Sequence, residues 1–132
     1  GNVGREQYNE LRTLAPNVHV VAGDYDEEDL GFPETQVVQV GQFRIGIMHG
    51  HQVLPYNSQE AKARMRRKLN VDIFVSGHSH QNEVVLQDGY YHINPVRVVI
   101  NIMYACVVSL RGNGKFLMCA NLSVIYGMLG RN

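Results

Sequence analysis

The sequence predicts a layered α/β domain. Three observations lead there. Short apolar or β-branched runs alternate with two helical segments, two tight turns mark hairpins, and several apolar runs end in Gly-flanked loops rich in His and Asp. Polar loops gathered at strand ends are the usual layout of an α/β domain. The hairpins argue for a mixed sheet or a sandwich over a purely parallel sheet.

The elements follow in order. Arg5 to Leu14 reads as a helix with Tyr8, Leu11 and Leu14 on one face, stopped by Pro16-Asn17. Val18 to Ala22 is a β-branched run and is expected to be a buried strand, ending at Gly23-Asp24-Tyr25-Asp26. The acidic stretch to Asp29 and Gly31-Phe32-Pro33 continue that loop. Thr35 to Val40 and Gln42 to Met48 read as a hairpin turning at Gly41-Gln42. A helix is expected from Ser58 to about Leu69, with Lys62, Arg64, Arg66, Arg67 and Lys68 forming a solvated face. Val71 to Val75 is an apolar strand. Val84 to Leu86 and Tyr90 to Ile93 form a second hairpin about Asp88-Gly89.

With 132 residues, 45% of them hydrophobic and 18% charged, the chain suits one globular domain and not a disordered segment. Its formal net charge of zero gives no electrostatic pull toward nucleic acid or an anionic membrane. The longest apolar run, Val98 to Leu110, is broken by Asn101 and is shorter than the roughly 20 residues of a membrane span. Cys106 and Cys119 have no metal-type spacing and make no disulfide framework, so a reduced, cytoplasmic setting is expected. The abrupt start at Gly1-Asn2, without Met or signal peptide, is read as the loss of true N-terminal sequence.

Four segments carry chemistry: Gly1-Asn2, Gly23 to Asp26, His49-Gly50-His51 and Gly77-His78-Ser79-His80. Histidine and carboxylate donors suit zinc, manganese or iron, and glycines let backbone come close to an ion. Spacing alone leaves a metal site and a set of surface loops both open. His19 and His92 lie inside strand patterns and are read as having no functional role.

Taken in order, Gly23-Asp24-Tyr25-Asp26, His49-Gly50-His51 and Gly77-His78-Ser79-His80 resemble the motif series of the calcineurin-like metallophosphoesterases, and in particular its small retromer subunits. The likeness runs from Gly1 to about Pro95. It implies a layered α/β/β/α sandwich, here truncated at the N-terminus, with two packed sheets flanked by helices. It also implies a two-metal cleft. Asn2, Asp24, His49 and His78 would serve one position, with Asn2 standing where the enzymes bridge two ions with Asp. His80 would serve the other, whose Asp-X-His pair this chain lacks. His51 matches no ligand of the family. Tyr25 stands where the enzymes carry the His that protonates a leaving group, and a phenol, ionising near ~10 in water, is a poor acid at neutral pH.

The resemblance therefore implies a scaffold and not an enzyme. Its vestigial site would hold zinc or manganese weakly, or no metal. Its partner would be a Vps35-like helical solenoid in endosome-to-Golgi protein transport, holding the chain peripherally on endosomal membranes. The docking face would comprise Tyr25, Val53, Leu54 and Tyr56 beside His49; the alternative is that Leu54 and Tyr56 pack inward under the next helix. A working metal-dependent phosphodiesterase is the rival function.

After Asn94-Pro95 the family pattern breaks off. Val96-Arg97 is what translation through an intron start would give, so 96–132 is read either as intron-derived sequence or as a divergent hairpin. In the hairpin, Val107 to Leu110 would pair with Phe116 to Cys119 about Gly112-Asn113-Gly114.

Overall fold

The computed structural model describes residues 4–14, 17–26 and 30–95, and the backbone of three strands within 106–128. Asn2, Pro16, the acidic residues 27–29, the Val96-Arg97 junction and the turn at 112–114 lie outside the described residues.

Helix α1 (Arg5–Leu14) forms where the apolar spacing predicts it. Its Tyr8 packs edge-on against Phe32, ring centroids 5.0 Å apart. Strands β1 (Thr35–Val40) and β2 (Phe43–Met48) pair antiparallel, turning at Gly41 with φ +55°. Helix α2 (Gln59–Leu69) starts at Ser58, whose hydroxyl accepts from the Ala61 amide at 3.1 Å. It ends at Asn70 in the left-handed conformation. Strand β3 (Ile73–Ser76) follows. Then β4 (Glu83–Gln87) and β5 (Tyr90–Asn94) form the second hairpin, with Asp88 and Gly89 both at positive φ, as a two-residue hairpin turn requires.

These strands make one mixed five-stranded sheet in the order β1-β2-β3-β5-β4. The centre is parallel: β3 pairs with β2 on one side and β5 on the other. One face carries Ile45, Ile47, Ile73 and Val75, all buried, with Val38, Val40, Tyr91 and Ile93 packed around them. The other face buries Met48 and Phe74, with Val53 and Val71, under Ala61, Met65 and Leu69 of α2.

Three expectations need correction. Residues 18–22 join no strand ladder; Ala22 instead donates to the Pro33 carbonyl (2.8 Å) and Val21 packs onto the sheet face. β-Branched residues favour a strand only where a neighbour pairs along the run. Lys62 is not on a solvated face. It is 6% exposed, and its ammonium meets the Glu83 carboxylate of β4 at 2.6 Å. Val53 is 5% exposed and belongs to the core, not to an exposed stretch.

A second, antiparallel sheet contains β6 (Cys106–Arg111), β7 (Lys115–Ala120) and β8 (Ser123–Met128) in that order. β6 and β7 pair over the residues of the expected hairpin, Leu110 opposite Phe116.

Candidate metal centre

The parallel pairing of β2 with β3 builds the site. Met48 lies opposite Ser76, so the two strands end side by side and their next residues, His49 and Gly77, emerge at the same sheet edge. The Gly77 amide donates to the His49 carbonyl at 2.7 Å, tying the two loops together. Gly50, with φ +113°, lies so close that a Cβ there would stand 2.8 Å from the Gly77 carbonyl oxygen. This edge, at the carboxyl ends of parallel strands, is where α/β sheets bind ligands.

Asp24 reaches the same edge from the turn at 24–26, where the Gly23 amide donates to the Asp26 carboxylate at 2.6 Å. One Asp24 oxygen lies 2.8 Å from His49 Nε2 and the other 3.4 Å from His78 Nδ1. The two imidazole nitrogens are 3.3 Å apart. Burial pushes the His49 imidazole down to about 4; His78 and His51 act the same way and Asp24 opposes them. His49 is therefore uncharged at neutral pH. Burial works to raise the Asp24 carboxyl, but the hydrogen bond from its own backbone amide and the facing His49 outweigh it and hold the group low. One carboxylate and two imidazoles, their ligand atoms all within 4.8 Å of one another, thus converge on one point. This donor set fits a divalent ion such as zinc or manganese.

Of the other residues expected at the site, Asn2 lies outside the described residues. His80 is exposed and stands apart from the three-donor group. His51 stacks beside the group, its ring 5.4 Å from that of His49. Around the centre runs an exposed rim: Tyr25 is 76%, Leu54 65% and Tyr56 45% exposed. Tyr56 packs edge-on to His78 at 4.7 Å, so rim and centre touch.

The family model of the calcineurin-like phosphoesterase superfamily domain matches residues 1–102. The chain belongs to the calcineurin-like phosphoesterase superfamily. Within this superfamily its likeness is to Vps29 proteins. It is 30% identical over 88 residues to vacuolar protein sorting-associated protein 29 of Schizosaccharomyces pombe, covering 67% of this chain and 46% of that protein. The chain thus spans about half the length of the curated relative it matches. The crystal structure of wild-type Vps29 from Entamoeba histolytica complexed with zinc superposes with a TM-score of 0.72 at 36% identity, over 96% of this chain and 76% of that one. Vps29 from Cryptosporidium parvum follows at 0.67 and 29%, over 94% and 79%. Chaetomium thermophilum Vps29, at 23% identity and a TM-score of 0.70 over 94% and 77%, speaks for the fold alone. The superfamily match continues past Pro95, where the recognisable motifs stop.

Two residues were given no functional role by the motif reading. Lys62 sits in a basic helix and gives no sign of burial. Asn94 showed one signal, a polar residue between an apolar strand and a proline; it is 1% exposed and donates to Ser79 Oγ at 2.7 Å.

Proposed function

We propose that the chain is a retromer-type scaffold that docks on a Vps35-like helical solenoid and serves endosome-to-Golgi protein transport. One observation carries this reading: the rim of the metal centre exposes Tyr25, Leu54 and Tyr56; the motif resemblance supports it by matching Tyr25 to the place where the superfamily's enzymes hold their general acid. A rim of aromatic and aliphatic side chains on a pre-ordered loop suits an interface hot spot, because little entropy is lost on docking. Through such a partner the protein would sit peripherally on endosomal membranes. Among the described residues no helix is long and apolar enough to cross one.

Asp24, His49 and His78 would hold the ion, with Asn2 as a further ligand; the zinc complex of the Entamoeba relative supports zinc. A bound ion would supply Lewis-acid polarisation of a phosphoryl oxygen. The rest of the reaction fails in this chain, because Tyr25 does not replace the proton donor, whose loss typically costs ~10²–10⁴-fold in rate.

The rival reading, a working phosphodiesterase, draws on the same three donors. Turnover of an activated phosphodiester with manganese separates the two. The scaffold reading expects no turnover above background, and a gain on Tyr25→His in a protein extended to carry the Asp-X-His pair. Robust wild-type turnover that His49→Ala abolishes would establish the enzyme.

A further inference from the structure

We infer that Asn94 is a positioning residue for His78: its buried side-chain amide fixes the loop 77–80 so that the His78 imidazole faces Asp24 and His49. The inference rests on reading those three residues as a metal centre. β5 runs parallel to β3, with Val75 opposite Ile93, so Asn94 lies beside the end of β3 where the His78 loop begins. Its Nδ2 donates to Ser79 Oγ at 2.7 Å and lies 3.4 Å from the Gly77 carbonyl oxygen. An amide nitrogen has two hydrogens, and these acceptors on either side of His78 use both. The residue is 1% exposed, so water does not compete for them.

The loop needs such a brace. His78 and His80 both adopt left-handed backbone, φ +66° and +56°, which residues bearing a Cβ rarely do. Conformations of this kind persist where surrounding contacts over-determine them. The bracing contacts are visible: Ser79 donates back to the Gly77 carbonyl (2.8 Å), Gly77 donates to His49 (2.7 Å), and Asn94 clasps both ends from beneath. Asparagine suits the task because both acceptors are oxygens. A carboxylate of the same shape could still accept from the Ser79 hydroxyl, but it would offer the Gly77 carbonyl no hydrogen and would repel it. Asn94 touches no ion; it acts through the loop.

The test compares wild type, Ser79→Ala, Asn94→Asp and the control His78→Ala. Zinc calorimetry is combined with thermal unfolding of the metal-free protein and NMR of the His78 ring. Groups that orient a ligand typically change metal affinity by ~10–100-fold. Asn94→Asp is expected to weaken zinc binding within that range. Ser79→Ala, which removes one acceptor from the partly exposed loop, is expected to weaken it severalfold at unchanged unfolding temperature. Both should shift the His78 ring resonances. Wild-type affinity and unshifted His78 resonances in Ser79→Ala and Asn94→Asp would overturn the inference. So would a loss in Asn94→Asp that only tracks its unfolded fraction while Ser79→Ala matches wild type. If wild type and His78→Ala bind zinc alike, the metal reading itself fails, and the His78 resonances of the metal-free variants still decide whether Asn94 holds that ring.

Discussion

At Gly50 there is no room for a side chain: the Gly77 carbonyl stands 2.8 Å from where its Cβ would be, and φ is +113°. Gly50→Ala is expected to force apart the loops that carry His49 and His78. Stability should fall by more than about 1 kcal/mol in urea denaturation, since alanine tolerates positive φ poorly, and zinc affinity should fall with it. Wild-type values in both measurements would show that the loops can be separated without harm to the site. For the ion itself, the three described donors predict weak binding of one zinc per chain, lost in His78→Ala. Tight binding of two ions by calorimetry and elemental analysis contradicts this. Glycine-flanked histidines after apolar strands were legible in the sequence because residue type and spacing expose them. Asn94, Lys62 and Val53 were not, because their burial depends on which strand end or helix face lies over them, and no local pattern encodes that.

Helix α2 and the β4–β5 hairpin are joined by a buried polar cluster. Lys62 of α2 meets Glu83 of β4 at 2.6 Å, Gln59 donates to the same carboxylate, and Ser76 of β3 bonds His92 of β5 at 2.9 Å. Burial, with Lys62 acting the same way and Glu83 opposing, pushes the His92 imidazole down to about 4. The unfolded chain therefore binds this proton first as pH falls from the ordinary histidine value of ~6.5. Stability is full above that value and declines as pH falls to about 4, by on the order of 2 kcal/mol between ~6.5 and ~5 for His92 alone. Burial raises the Glu83 carboxyl, but Lys62 more than offsets it; this group, held low, loses its stabilising contribution at still lower pH. Urea denaturation at pH 7 and pH 5 should show the drop. His92→Gln should reduce the drop without abolishing it, because His49 acts in the same sense; an unchanged slope contradicts the assignment. At this scale the hairpins and both helices were legible from turn residues, periodicity and caps. The run at 18–22 was not, since its β-branched composition is shared by strands and by extended segments that merely pack on a sheet.

For the molecule as a whole, the mixed sheet was legible in the alternation of hairpins with a helix-linked strand, and the superfamily in the order of its Gly-Asp and His loops. The origin of 96–132 was not, because none of the Gly-Asp or His loops that mark the superfamily falls in it. A spliced transcript that continues from the Pro95 codon into Val96 removes the intron reading, and one that departs there removes the hairpin reading. The central claim is that the metal-side rim is a docking face. Leu54 and Tyr56 are exposed and Val53 anchors the same loop in the core, so the two surface residues can be changed without opening the fold. The decisive measurement is the affinity of a Vps35-like solenoid for wild type and for the Leu54→Asp, Tyr56→Asp double variant, with circular dichroism on both. The account predicts that the double variant keeps the wild-type spectrum and loses the partner, whereas a folded double variant that binds the solenoid as tightly as wild type would contradict it.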